Sequence, residues 1–214
     1  MADEQHGGGR GAPSGMLTVA LTGGLATGKS TVGRMFGELG CELVEADRLG
    51  HEVLAGPGRD ATVALFGDGI CHPDGSINRR ALGAIVFQDP AKLAQLNAIV
   101  HPLVEALREQ LFLAIFETDP HAIVLYEAAI HIETGIYKQF ARVVLVTCDE
   151  ETQISRAMAR SQWTREEALA RIRRQMPLAA KRKFADYVID TSLSLDDTRR
   201  QIEETYNELR ALQE

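Results

Sequence analysis

The sequence predicts an α/β domain that carries a helical insertion. Three observations lead there. The apolar run Leu17-Thr18-Val19-Ala20-Leu21 opens directly into Gly23-x-x-x-x-Gly28-Lys29-Ser30, the Walker A spacing in its required strand–loop–helix setting. Further short strand-like runs alternate with helical patterns down the chain, as in a doubly wound sheet. Between the second and third of these runs, residues 60–118 read as mostly helical, which is too long for a simple crossover.

Each residue type in the first loop has a physical reason. Gly23, Gly24 and Gly28 carry no Cβ, so the backbone can wrap closely around a triphosphate. Successive N–H groups then form an anion nest, and the helix that follows adds the positive end of its dipole. The expected nucleotide-binding residues are Gly23, Gly24, Ala26, Thr27, Gly28, Lys29, Ser30 and Thr31. Lys29 is expected to reach the β- and γ-phosphates, and the Ser30 hydroxyl to help hold Mg²⁺. Val32, Met35, Phe36 and Leu39 recur at helical spacing, with a stop at Gly40.

The second strand is expected at Cys41–Glu45, ending close to Asp47. A carboxylate beyond the carboxyl end of such a strand can face a bound phosphate. Asp47 can also N-cap the next helix, which carries Leu49, Val53 and Leu54. Gly56-Pro57-Gly58 ends that helix. Further helices are expected after Asn78 and after Asp89-Pro90, with a joint at His101-Pro102. Ala122–Tyr126 reads as a fully buried strand, followed by Glu127 and Glu133. Arg142–Thr147 is the next strand, and no Asn-Lys-x-Asp guanine-recognition signature follows it.

Residues 155–183 hold most of the basic character, from Arg156 and Arg160 through Arg173 and Arg174 to Lys181, Arg182 and Lys183. Thr164-Arg165-Glu166-Glu167 has capping-box spacing, so a helix begins there. A solvated helical face is the ordinary meaning of such a run. Beside a phosphate loop in an acidic chain, an arginine-rich lid is the favoured reading, since guanidinium groups bind phosphate bidentately. Asp186–Asp190 is the last strand, and Ser194 caps a C-terminal helix bearing Ile202, Tyr206, Leu209 and Leu212.

Bulk properties bound the function. The 214 residues are 45% hydrophobic, enough for a proper core, and the net charge of −7 argues against a nucleic-acid-coating surface. Cys41, Cys71 and Cys148 are few, odd in number and far apart, which suits a reducing cytoplasm rather than a disulfide framework. No apolar run reaches the ~18 residues of a membrane span. Residues 1–15 lack a hydrophobic segment and read as a disordered extension rather than a signal peptide, with Met16 as an alternative start.

Taken together in this order, the motifs resemble the dephospho-CoA kinase family over residues 16 to about 210. The resemblance rests on the Walker A segment, Glu45-Ala46-Asp47 with His51-Glu52-Val53, and Asp74-Gly75-Ser76-Ile77-Asn78-Arg79. It continues through Leu96-Asn97, His101-Pro102, Glu133-Thr134-Gly135, Gln153-x-x-Arg156-x-x-x-Arg160 and Ala185–Asp190. The departures are Glu45 for the family's first Asp, Ala129-Ile130-His131 for its Pro-Leu-Leu, and Thr191 for the Asn that often follows its last strand.

The resemblance implies a P-loop NTPase three-layer fold with a five-stranded parallel sheet, an inserted helical substrate domain and a helical lid. The kinase domain would span 16–214, with its core in 16–55, 119–154 and 184–214, the insertion at about 56–118 and the lid at about 155–183. It implies ATP-dependent phosphorylation of the ribose 3′-hydroxyl of dephospho-CoA, with ATP and Mg²⁺ required. Asp47 would accept the hydroxyl proton, Lys29 would offset charge on the transferring group, and Arg156 would stabilise it. Arg160 would support nucleotide binding, and His51, Arg79 and His101 would serve the acceptor side. The expected state is a cytoplasmic monomer or weak homo-oligomer with no nucleic-acid or membrane partner. A kinase for another small acceptor and an acceptor-free ATPase are the alternatives, separated by the acceptor dependence of ATP consumption.

Overall fold

The computed structural model describes residues 15–213, so the extension expected over 1–15 lies, apart from Gly15, outside the described residues. The chain forms two compact units. The first holds the segments up to Val44 and from Phe112 onward, and the second is Glu45–Leu111.

The first unit is built on a parallel five-stranded sheet. Its strands are β1 (Leu17–Gly23), β2 (Glu42–Glu45), β3 (Ile123–Glu127), β4 (Arg142–Thr147) and β5 (Tyr187–Asp190), in the order β2-β3-β1-β4-β5. β1 pairs in parallel with both β3 and β4, and β4 with β5. β1 is therefore central, and the strand order reverses beside it, so the loop after β1 opens where such sheets bind ligands. Val19, Leu21, Leu125, Val144 and Val146 are fully buried under α1 (Lys29–Glu38) and α9 (Leu195–Ala211). Each such side chain contributes about 1.5–3 kcal/mol of burial, which makes the centre of the sheet a rigid support for the loop.

Near the boundary between the units, α2 (Ala46–Ala55) follows β2 without a break. Within the second unit come α3 (Arg59–Phe66) and α4 (Arg79–Val86), and α5 (Pro90–Thr118) starts there. Ile70, Leu82, Val86 and Leu96 form its core. Pro73-Asp74-Gly75 lie in a turn closed by an antiparallel bridge between Cys71 and Ile77. Asp74 accepts bonds from the Ser76 amide and hydroxyl, which together hold its carboxyl below the usual carboxylate range.

Two expectations are corrected. The joint at His101-Pro102 does not form, because α5 runs unbroken over 29 residues with Pro102 inside it. An internal proline costs ~3 kcal/mol. Burial of Leu96 before it and Phe112 after it, at about 1.5–3 kcal/mol each, offsets that. Asp47 is not the N-cap of α2. Glu45 takes that position, and Asp47 lies in the first turn, because the helix begins as soon as β2 ends.

Between β4 and β5 lie the helices α6 (Glu150–Ser161), α7 (Arg165–Ile172) and α8 (Leu178–Lys181). The expected capping box is present: Thr164 accepts from the Glu167 amide while the Glu167 carboxylate accepts from the Thr164 amide. Among the described residues no helix is long and apolar enough to cross a membrane.

Candidate active site

The loop from Gly23 to Ser30 is shaped by its own short side chains. A Cβ on Gly23 would stand 2.7 Å from Thr27 Oγ1 and 2.8 Å from the Val146 carbonyl, so no larger residue fits there. Gly28 adopts φ 86°, a left-handed conformation that favours glycine, and Ala26 shares that region at φ 56°. Thr27 is fully buried and donates its hydroxyl to the Gly24 carbonyl. Among the described residues the amides of Gly28, Lys29 and Ser30 have no backbone acceptor. They are the free donors of a helix N-terminus, on the loop that the Walker A spacing singles out.

Glu127 joins the candidate site, although the sequence singled it out only as following a strand. The pairing of Leu21 with Glu127 makes it the last residue of β3, one position beyond the expected strand end. Both Lys29 Nζ and, at 3.1 Å, Ser30 Oγ donate to its Oε1. Its Oε2 is buried and has no hydrogen-bond partner. The available signal was a carboxylate ending a continuous apolar run, since an acid is rarely buried unless paired.

Arg156, on α6, turns its guanidinium onto Thr191, donating to its hydroxyl at 2.8 Å and its carbonyl at 2.7 Å. The Thr191 hydroxyl in turn donates to the Thr27 carbonyl at 2.7 Å. Arg156 therefore stands beside the loop, and a Cβ on Gly28 would lie 3.6 Å from its Nη1. Thr191, noted in the sequence only as a departure, is the link between them. Arg160 lies one turn further along α6 and is exposed, on the same helix face by its i,i+4 spacing. Cys148, next to this group, is pushed up to about 11 by burial against the opposing pull of Arg156. It stays a thiol at neutral pH.

The basic run divides. Arg165 pairs with Glu151 and Arg171 stacks on Trp163 at 4.1 Å, so both support α6 and α7. Arg160, Arg173 and Arg174 are exposed. Lys181, expected among the lid cations, is fully buried. Leu25 and Ala26 of the loop pack against Ile154, Ala157 and Ala168 of α6 and α7.

In the second unit, Asp47 is exposed and its side chain has no hydrogen bond or ion pair among the described residues. A cavity of about 550 Å³ is lined by His51, Leu54, Arg59, Asp74, Ile77 and Arg79, among others. Arg59 donates to the Gly75 carbonyl from Nε and Nη2, so one wall is pinned. His51 and Arg79 thus share one cavity, and His101 is not among its lining residues.

Comparison with known proteins shows the family and the fold. The family model described as dephospho-CoA kinase matches residues 17–197. A dephospho-CoA kinase of Halalkalibacterium halodurans is 40% identical over 188 residues, covering 87% of this chain and 93% of that protein. A crystal structure from Thermus thermophilus superposes with a TM-score of 0.78 at 32% identity, over 90% of this chain and 97% of the other. Dephospho-CoA kinase from Campylobacter jejuni shares the fold at a TM-score of 0.63 and 22% identity, over 92% and 98% of the two chains.

Proposed function

The chain belongs to the dephospho-CoA kinase family, and on that premise we propose how its residues move the γ-phosphoryl group of ATP to the ribose 3′-hydroxyl of dephospho-CoA, the reaction that yields coenzyme A. One observation carries the reading. Lys29 and Ser30 converge on a buried carboxylate at the mouth of a loop whose amides are free. Phosphoryl transfer needs alignment and charge neutralisation more than covalent help, and this group of side chains supplies both.

The amides of Gly28, Lys29 and Ser30 bind the phosphates, and Lys29 swings from Glu127 to the β- and γ-oxygens. Ser30 and Glu127 would hold Mg²⁺. Their hard oxygen donors fit it, and Glu127 Oε2 is buried without a partner. Mg²⁺ needs only one or two protein oxygens beside phosphate and water. When bound, the ion neutralises charge on the phosphate oxygens.

Asp47 takes the 3′-hydroxyl proton as the ribose oxygen bonds to phosphorus and the bridging bond to ADP breaks. Its carboxylate is exposed and held by no other group, so it is free to orient an incoming alcohol. Arg156 stabilises the transferring oxygens, and Arg160 supports the nucleotide. Residues 155–183 act as the lid that keeps water from receiving the phosphoryl group. His51 and Arg79 contact the acceptor in the cavity they share, where cationic and apolar walls suit a substrate with a pyrophosphate and a long arm.

ADP release from Mg-ATP is measured with and without dephospho-CoA, and the product is identified by mass. Acceptor-dependent release that yields coenzyme A is expected. Acceptor-independent release would instead mark an ATPase.

A further inference from the structure

A phosphate loop must present donors to its ligand, so its carbonyls need other partners. Here side chains take four of them. The Gly24 carbonyl accepts from Thr27 Oγ1 within the loop. The other three are met from the segment after β4. Gln153 Nε2 donates to the Leu25 carbonyl at 2.6 Å, and Thr191 Oγ1 donates to that of Thr27. Lys181 Nζ donates to that of Gly23 at 3.3 Å. The Gln175 side-chain carbonyl accepts from the Leu25 amide at 2.7 Å.

Lys181 is the charged member of this set. It is fully buried, its ammonium donates to the Gly23 carbonyl and, at 2.7 Å, to the Ala129 carbonyl, and it forms an ion pair with Glu133 Oε1 at 2.9 Å. Two of its N–H donors are thus spent on backbone carbonyls and its charge is met by a carboxylate. Glu133 Oε1 also accepts from the Met176 amide at 3.2 Å, which ties the connection between α7 and α8 to the same point. One ion pair, with a buried cation and a partly exposed carboxylate, thus joins the end of β1, the loop after β3, and the connection between α7 and α8.

We propose that Lys181, held by Glu133, is a positioning residue that sets the phosphate loop for nucleotide. It touches no substrate. It fixes the first carbonyl of the loop and anchors the lid region to it, so that the free amides already point toward the phosphate site before ATP arrives. The inference rests on the nucleotide-site reading given above.

The test uses the full chain as wild type, Lys181→Met, Glu133→Gln and the double variant. Mg-ATP affinity is read by calorimetric titration, the KM of dephospho-CoA and kcat by ADP release, and Tm by thermal unfolding. Lys181→Met removes the donor to two loop carbonyls and the cation facing Glu133. It should weaken Mg-ATP binding about tenfold or more and leave the KM of dephospho-CoA within about twofold. Adding Glu133→Gln to Lys181→Met should restore part of the ATP affinity, because it removes the carboxylate that has lost its cation beside the loop. A folded Lys181→Met protein with wild-type ATP affinity overturns the proposal. So does equal weakening of both substrates together with a fall in Tm, which is what a merely structural role produces. If Lys181→Met does not fold, Glu133→Gln alone decides: an ATP affinity reduced about threefold supports the proposal, and an unchanged one overturns it. Wild-type protein that binds no Mg-ATP would overturn the nucleotide-site reading itself, a result distinct from failure of the variants.

Discussion

The two units differ in how their functional polar groups are satisfied. In the sheet-based unit three key cations already have a protein partner: Lys29 has Glu127, Arg156 has Thr191, and Lys181 has Glu133. In the Glu45–Leu111 unit, Asp47, His51 and Arg79 are exposed and unpaired among the described residues. The difference is physical. Phosphate is a strong, compact anion, and a loop backbone held in advance for it limits the reorganisation to a change of partner by Lys29. An acceptor with a long arm is met by a surface whose side chains settle on binding.

Breaking the prebuilt side should have the largest effect. Lys29→Ala is expected to lower kcat/KM by about 10²-fold or more, read by ADP release. It should also lower Tm, because a buried carboxylate stripped of its partner is destabilising by roughly 3–5 kcal/mol. Adding Glu127→Gln should recover Tm without recovering activity. Recovery of both would mean that Lys29 serves only the ion pair.

Asp47→Asn tests the open side. It should reduce kcat about 10²-fold, leave the KM of both substrates within a few-fold, and leave Tm unchanged, since no partner is lost. Wild-type turnover in this variant would sink its role as proton acceptor. Arg79→Ala should be milder: the KM for dephospho-CoA rises about tenfold while kcat and the KM for ATP stay the same. A change in the KM for ATP would blur the division between the two sides.

The smallest effect expected is one of pH on the sheet-based unit. Burial pushes Cys41 up to about 12 and Cys148 up to about 11. As pH rises, the unfolded chain releases these protons first, near the ordinary thiol pKa of ~8.5. The stabilisation is therefore complete below that value and lost as pH climbs through 11 and 12. Tm measured from pH 7 to 11 should fall above about pH 9, and Cys41→Ala with Cys148→Ala should flatten the fall.

Local signals were legible in the chain. The strand–loop–helix of residues 17–38, the caps at Thr164 and Ser194, and the apolar strands depend on neighbours a few residues apart, so spacing alone reveals them. Where a local rule met a distant interaction, it failed. Pro102 does not divide α5, because burial on either side of it outweighs the lost backbone bond. Asp47 stands inside α2 rather than at its cap, because β2 leads directly into the helix.

By itself the sequence determined the phosphate loop, the types of group that surround a nucleotide, and the family to which the chain belongs. Only the tertiary structure decided how those groups are held. Glu127 meets Lys29 from 98 residues away, Thr191 reaches Thr27 across 164, and Lys181 reaches Gly23 across 158. Lys181 looks in the sequence like one more cation in a basic run, and folding places it in the interior. No periodicity encodes such pairs. They arise because the parallel sheet brings the ends of β1, β3, β4 and β5 side by side, and a buried polar group then bonds to whatever partner that packing supplies.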